Sequence, residues 1–359
     1  MSDHPRIGAA LGLASAVLFG ASTPLAKLLL GFVDPWMLAG LLYLGSGLGL
    51  LTFKLLSRLA GRAERETPLR RADLPWLAAV ILAGGVAGPV LLMIGLVSTA
   101  SSTAALLLNL EGLATIVIAW TVFRENFDTR IFVGAAAILA GALVLSWHGG
   151  ATGIGLGALA IAGACLAWGI DNNLTRKLSS ADPVQITMLK GLVAGGVNLA
   201  LSIGLGAHLP PLPAMFAAAI VGLFGYGVSL VFFVLALRHL GTARTGAYFS
   251  AAPFIGAALG VALLHDPITI NLALAAALMG FGLYLHLVER HDHAHVHEPM
   301  EHEHAHTHDE HHQHAHGPSD PPGEPHPHRH RHEMLIHSHP HFPDLHHRHT
   351  HDDVANASN

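Results

Sequence analysis

Cysteine is nearly absent from this chain. Cys165 is its one representative, which excludes an internal disulfide and any cysteine-cluster metal site, and it sits in an apolar run where a buried inert thiol is expected. Charge is scarce as well. Only 12% of the residues are Asp, Glu, Lys or Arg, against roughly a quarter in soluble domains. No Gly-x-x-x-x-Gly-Lys-Ser/Thr run occurs, so a P-loop ATP-driven pump is excluded. The longest polar stretch before the C-terminal tail, about residues 58–73, is too short to fold into a catalytic domain. The chain is therefore expected to be no enzyme, with no catalytic residue, no required cofactor and no nucleic-acid partner. No cleavable signal peptide is expected either, because Met1–Arg6 is short and the apolar stretch after it is of full spanning length.

What is present divides into two kinds of polymer. Residues 1–288 are nearly continuous apolar sequence and hold 11 of the 24 acidic residues, whereas 289–359 hold 23 of the 29 histidines. A helix crossing a bilayer needs about 20 mostly apolar residues. That window finds ten candidates, at 7–30, 36–57, 74–97, 102–123, 130–147, 153–175, 184–206, 213–237, 243–264 and 268–288. The loops after odd-numbered spans contain no lysine or arginine. The other side collects Arg6, Lys54, Arg58, Arg62, Arg65, Arg70, Arg71, Arg124, Arg130, Arg176, Lys177, Arg238, Arg244 and Arg290. Positive residues are retained in the cytoplasm during insertion, so the expectation is a multi-pass inner-membrane protein with both termini cytoplasmic and the lipid bilayer as its surroundings.

The halves echo one another. Leu18-Phe19-Gly20 through Leu25-Ala26-Lys27 and Asp34-Pro35 parallel Ala167-Trp168-Gly169 through Leu174-Thr175-Arg176 and Asp182-Pro183; Phe123-Arg124-Glu125 parallels Leu264-His265-Asp266. Five spans per half, an odd number, turn the second half over in the membrane, the plan of inverted-repeat transporters. The expected fold is an all-α membrane protein: ten transmembrane helices in a five-plus-five inverted repeat (1–148 and 149–288), followed by a disordered histidine-rich cytoplasmic tail (289–359).

With ten spans, the duplication and span 4 closing on Thr121-Val122-Phe123-Arg124-Glu125, residues 7–288 resemble the EamA branch of the drug/metabolite transporter superfamily. The resemblance implies a carrier of small metabolites, with Glu125 and its counterpart Asp266 as motif residues and Pro253 as the helix-interrupting proline of span 9. Span 4 departs from the pattern, carrying Asn109-Leu110-Glu111-Gly112 where a proline is the family's habit. The resemblance also places spans 3, 4, 8 and 9 around the cavity, which makes Trp120, Tyr226 and Tyr248 secondary candidates.

Ionisable side chains at membrane depth cost about 2.5–3.5 kcal/mol on insertion scales and mark function by default. Glu111 lies near the midplane of span 4 with Thr115 one turn on, a carboxyl able to hold and release a proton; a structural, hydrogen-bonded Glu is the alternative. Asp171 opens the run Asp171-Asn172-Asn173 in span 6. Lys190 lies at similar depth in span 7 on one face with Thr187 and Asn198, and is expected to pair with Asp171. Interfacial snorkelling competes with these readings, most strongly for Lys27, which follows Pro24, a proline that invites a local break in span 1. Gly84, Gly88 and Pro89 in span 3, with Gly225 and Ser229 in span 8, read as close helix packing.

The tail reads His-x-His: His291, His293, His295, His297, His302, His304, His306, His308, then His311, His312, His314 and His316, and onward. Neutral imidazole suits Zn²⁺, Ni²⁺ and Co²⁺, so divalent transition-metal ions are expected partners. The leading function is a secondary-active transporter exporting a small polar metabolite by alternating access in exchange with protons. The alternative is a divalent metal carrier fed or regulated by the tail.

Overall fold

The computed structural model describes residues 4–61, 68–123, 129–147, 155–175, 178, 181–287, 291–297, 300–306, 326–332 and 335–341. Its body is built of helices. In order they are α1 (His4–Leu29), α2 (Pro35–Leu59), α3 (Leu74–Val80), a π-helical segment Ile81–Ala87, α4 (Gly88–Ser98), α5 (Ser101–Leu107), α6 (Asn109–Phe123) and α7 (Thr129–Ser146). The second half supplies α8 (Leu156–Thr175), α9 (Pro183–Gly204), α10 (Leu212–Gly222), a second π segment Leu223–Val228, α11 (Ser229–Phe249), α12 (Ala252–Leu264) and α13 (Ile270–Leu287).

The body is apolar on its outside and carries polar side chains within. Leu82, Phe132, Phe216 and Ile220 are exposed, while Asp171, Asn173, Asn198 and Ser229 are buried. That inversion suits a hydrocarbon solvent. Among the described residues, six helical stretches are long and apolar enough to cross a membrane: Ile7–Leu29, Pro35–Leu59, Arg71–Ser98, Ser101–Val122, Pro183–Gly204 and Leu212–Ala236. Ile131–Ser146, Ala252–Leu264 and Ile270–His286 are apolar but shorter. In α8 the closing Asp171-Asn172-Asn173 run lowers the hydropathy of a helix 20 residues long.

Two sequence expectations are corrected here. Residues 238–242 were expected to be a loop between spans 8 and 9, yet α11 runs unbroken from Ser229 to Phe249. The segment holds no proline, and Arg238 and Leu240 favour helix strongly enough to carry it through Gly241. The break comes later, at Ser250–Ala251, just ahead of Pro253 at the second position of α12, which shortens that helix to 13 residues. The tail was expected to lack regular structure. His291–His297 instead pairs antiparallel with Leu335–His341, and Met300–His306 with His326–His332. Strict His-x-His alternation has the two-residue period of a strand.

Packing repeats when helices of the two halves are exchanged. α1 lies on α11 and α12 as α8 lies on α4 and α6, and α2 on the second π segment as α9 lies on the first; α2 meets α9, α5 meets α12 and α7 meets α13. The irregularities match as well. Both π segments fall at equivalent places, and the interruption at Leu108 between α5 and α6 corresponds to that at Ser250–Ala251. Asp34 and Asp182 each cap the helix that follows, accepting from Trp36 N at 2.9 Å and Val184 N at 2.9 Å, with proline at N1. Proline there costs no hydrogen bond, since that N–H has no partner inside the helix.

Candidate functional site

The first π segment is the centre of the polar interior, and its cause is local. Pro89 has no N–H to give Gly85 four residues earlier. Gly88 N reaches back to Ala83 in the π manner, which frees Gly84 as well. Both released carbonyls are taken by side chains from other helices. Tyr43 Oη and Trp168 Nε1 donate to Gly84 O at 2.7 and 3.0 Å, and Asn198 Nδ2 donates to Gly85 O at 3.1 Å. A buried carbonyl left bare would cost about 1–3 kcal/mol, so these three donors hold the irregular segment in place.

The charged residues lie against the same segment. Lys190 Nζ donates to Asp171 Oδ2, and the two side chains are 15% and 7% exposed. Asp171 faces Gly84, where any Cβ would collide with the carboxylate, and it accepts from Thr175 Oγ1 at 3.1 Å. One residue on, Asn172 Nδ2 donates to Glu111 Oε1 at 3.0 Å and to Thr115 Oγ1 at 3.2 Å. Thr115 Oγ1 donates to Glu111 O at 2.9 Å. Asn173 Nδ2 bridges Thr115 O and Gly169 O at 3.1 and 2.8 Å, tying α8 to α6. Its Oδ1 and that of Asn198 are buried without a partner.

Of the sequence candidates, Glu111, Thr115, Asp171, Asn172, Lys190 and Asn198 therefore converge on one region formed by α6, α8, α9 and the first π segment. Lys27 does not join them. Its ammonium donates to Leu96 O and Val97 O, the last carbonyls of α4, where a cation complements the helix dipole. Asp266 Oδ2 accepts from Ser102 N at 2.7 Å and so caps α5. Pro253 begins α12 beyond the break. Glu125, His308, His311, His312, His314 and His316 lie outside the described residues. Of the secondary candidates, Tyr226 stacks between Phe19 and Tyr43, with ring centroids at 5.9 and 5.4 Å. Trp120 stays 55% exposed.

Sequence reading missed Tyr43, Trp168 and the chemical part played by Gly84. The available signal was Pro89, which marks carbonyls in need of donors four and five residues earlier. It also missed the ion pair of Lys54 with Asp182 at 2.9 Å. The equivalent contact in the other half is Ser202 Oγ to Asp34 Oδ1 at 3.5 Å. A cavity of about 240 Å³ beside that contact, lined by Asp34, Trp36 and Ser202, is remote from the charged cluster.

A multi-pass helical membrane protein whose charged side chains gather at a π segment within a spanning helix has the make-up of a membrane transporter. The EamA-like transporter family model matches the chain twice, over residues 6–147 and 155–288. The chain belongs to the EamA-like transporter family. An uncharacterized transporter of Methanothermobacter thermautotrophicus is 28% identical over 282 residues, covering 74% of this chain and 82% of its own. The uncharacterized inner membrane transporter YedA of Escherichia coli K12 is 26% identical over 272 residues, covering 72% and 83%. A crystal structure with 20% identity superposes with a TM-score of 0.57 over 79% of this chain and 96% of its own, a likeness of fold alone.

Proposed function

We propose that the protein is a secondary-active carrier that exports a small polar metabolite by alternating access, in exchange with protons. The observation that carries this reading is the cluster of buried Asp171 with part-buried Lys190 and Glu111 and exposed Asn172, set in an otherwise apolar helical body. Charges are kept at that depth, at a cost, where a polar cargo or a proton must be met. Glu111 is the proton-exchanging carboxyl, and Asn172 links its occupancy to α8.

The two halves form an inverted repeat of five spans each, with both termini in the cytoplasm. The exchangeable packing pairs, the matched π segments and the two family matches support this. So does the chemistry at the two ends of the α2–α9 contact. An Asp182–Lys54 pair lies on the side expected to be cytoplasmic, and an Asp34–Ser202 pair on the other, as retention of positive charge requires. The tail binds divalent transition metal and modulates transport. Its strand register, which sets His293 opposite His339 and His302 opposite His330, supports that role.

The test uses full-length protein and a version ending at Arg290 in lipid vesicles. Amino acids and other small metabolites are screened for flux under an imposed pH gradient, beside radioactive Ni²⁺ and Zn²⁺. Gradient-driven metabolite flux that survives truncation and is lost in Glu111→Gln is expected. Metal flux abolished by truncation, with no metabolite flux, would replace this reading with a metal carrier. Reporter fusions placing residues 150 and 300 on the same side of the membrane would break the inverted topology.

A further inference from the structure

The oxygen-rich position beside Gly84 already holds a cation, and that cation is part of the chain. Asp171 offers two carboxylate oxygens, and the Thr175 hydroxyl lies 3.1 Å from one of them. The Lys190 ammonium takes the other, with its stem against Gly85. Tyr43 donates to Gly84 O beside this pair, and Glu111 is joined to the neighbouring Asn172. Asn198, wholly buried, spends its Nδ2 on Gly85 O and leaves its Oδ1 unmatched. Gly84 O and Gly85 O are already taken by Tyr43, Trp168 and Asn198. The oxygens open to a cation are therefore those of Asp171 and Thr175, and hard cations bind such carboxylate and hydroxyl oxygens.

The other half provides the control. Ser22 lies against Gly225 as Asp171 lies against Gly84, and Leu42 stands at the position equivalent to Lys190. Where the carboxylate is missing the lysine is missing too, as holds for a charge and its counter-ion. A buried carboxylate without a cation is strongly unfavourable, so removing the lysine leaves Asp171 either to take up a proton or to bind another cation.

We propose that Lys190 is a tethered counter-cation: its ammonium fills, on Asp171, the position a free alkali cation would take, so the normal cycle runs without sodium and Lys190→Ala opens a sodium site. This rests on the transporter reading, but its test needs no transported solute. Full-length protein, Lys190→Ala and the double variant Asp171→Asn/Lys190→Ala are melted in sodium chloride and in choline chloride at equal ionic strength. Lys190→Ala alone should gain a saturable sodium-dependent rise in melting midpoint, about 2–4 °C at tenfold excess over the dissociation constant. Unaltered protein and the double variant should not respond. Recovery of folded Lys190→Ala only from sodium-containing buffer counts as the same result. A folded Lys190→Ala that ignores sodium overturns the proposal. So does a Lys190→Ala that folds in neither salt, whether the double variant folds or not, because the carboxylate then found no replacement. Sodium binding without solute flux sinks the transporter reading and leaves the cation site standing.

Discussion

Gly84→Ala and Gly112→Ala make the same change in neighbouring membrane helices and should move stability in opposite directions. At Gly84 the added methyl meets the Asp171 carboxyl, its Cγ at 2.3 Å being nearer than any real Cβ contact and its Cβ only 2.7 Å away. At Gly112 nothing lies within 4 Å. Overpacking a filled site costs typically 1–3 kcal/mol, and displacing Asp171 strains the Lys190 pair in addition, so Gly84→Ala should lose at least about 2 kcal/mol. Gly112→Ala gains backbone order in a helix, worth roughly 0.5–1 kcal/mol. The two variants should therefore differ by about 3 kcal/mol, several degrees in melting midpoint for a protein of this size. Thermal unfolding in one detergent, followed by intrinsic fluorescence and by aggregation, measures the difference. Solute flux should fall in Gly84→Ala and persist in Gly112→Ala. Equal midpoints for the two would refute the placement of Asp171 against the π segment and, with it, the arrangement of the whole cluster.

Other expectations follow from the same contacts. Asp171→Asn and Lys190→Met should each cost about 3–5 kcal/mol, because each strands a buried charge, while the double variant recovers most of the loss; a strictly additive double variant in denaturant titrations would remove the ion pair from the account. Asp182→Ala should destabilise more than Asp182→Asn by about 1 kcal/mol, since asparagine keeps the cap on α9 and loses only the charge facing Lys54, a difference that thermal melts resolve. The proposed metal binding by the tail requires neutral imidazole, whose ordinary pKa is near 6.5. The ligands are available above that value and lost as pH falls through it, so equilibrium dialysis with Ni²⁺ should show binding at pH 7.5 that is largely gone by about pH 5.5.

The residues that converge were legible one at a time. Glu111, Asp171 and Lys190 announced themselves because ionisable groups inside apolar runs are costly, and their depth followed from counting 1.5 Å per residue along each helix. The Asp-Pro pairs at 34–35 and 182–183 gave the duplication through local capping chemistry, which acts over three residues and needs no tertiary partner. Lys27 was read either as an interfacial side chain or as a path residue, and its partners, the carbonyls of Leu96 and Val97, were not legible because backbone groups about 70 positions away leave no mark in the sequence. The break between α11 and α12 was misplaced for a related reason. Charge segregation locates the side of a loop, whereas Pro253 and the packing around it determine where the helix stops.

By itself the sequence determined the solvent this protein folds in, the positions of its polar interruptions, the kinship of its halves and the histidine-laden end. These are properties of composition and short-range periodicity, where each residue carries its own transfer cost. Tertiary structure alone decided that the carbonyls freed by Pro89 meet Tyr43, Trp168 and Asn198, and that Gly84 makes room for Asp171. It also decided that Asn172 reaches Glu111. Those relations join helices far apart in the chain through distances of about 3 Å, and only the packing of the helices fixes them.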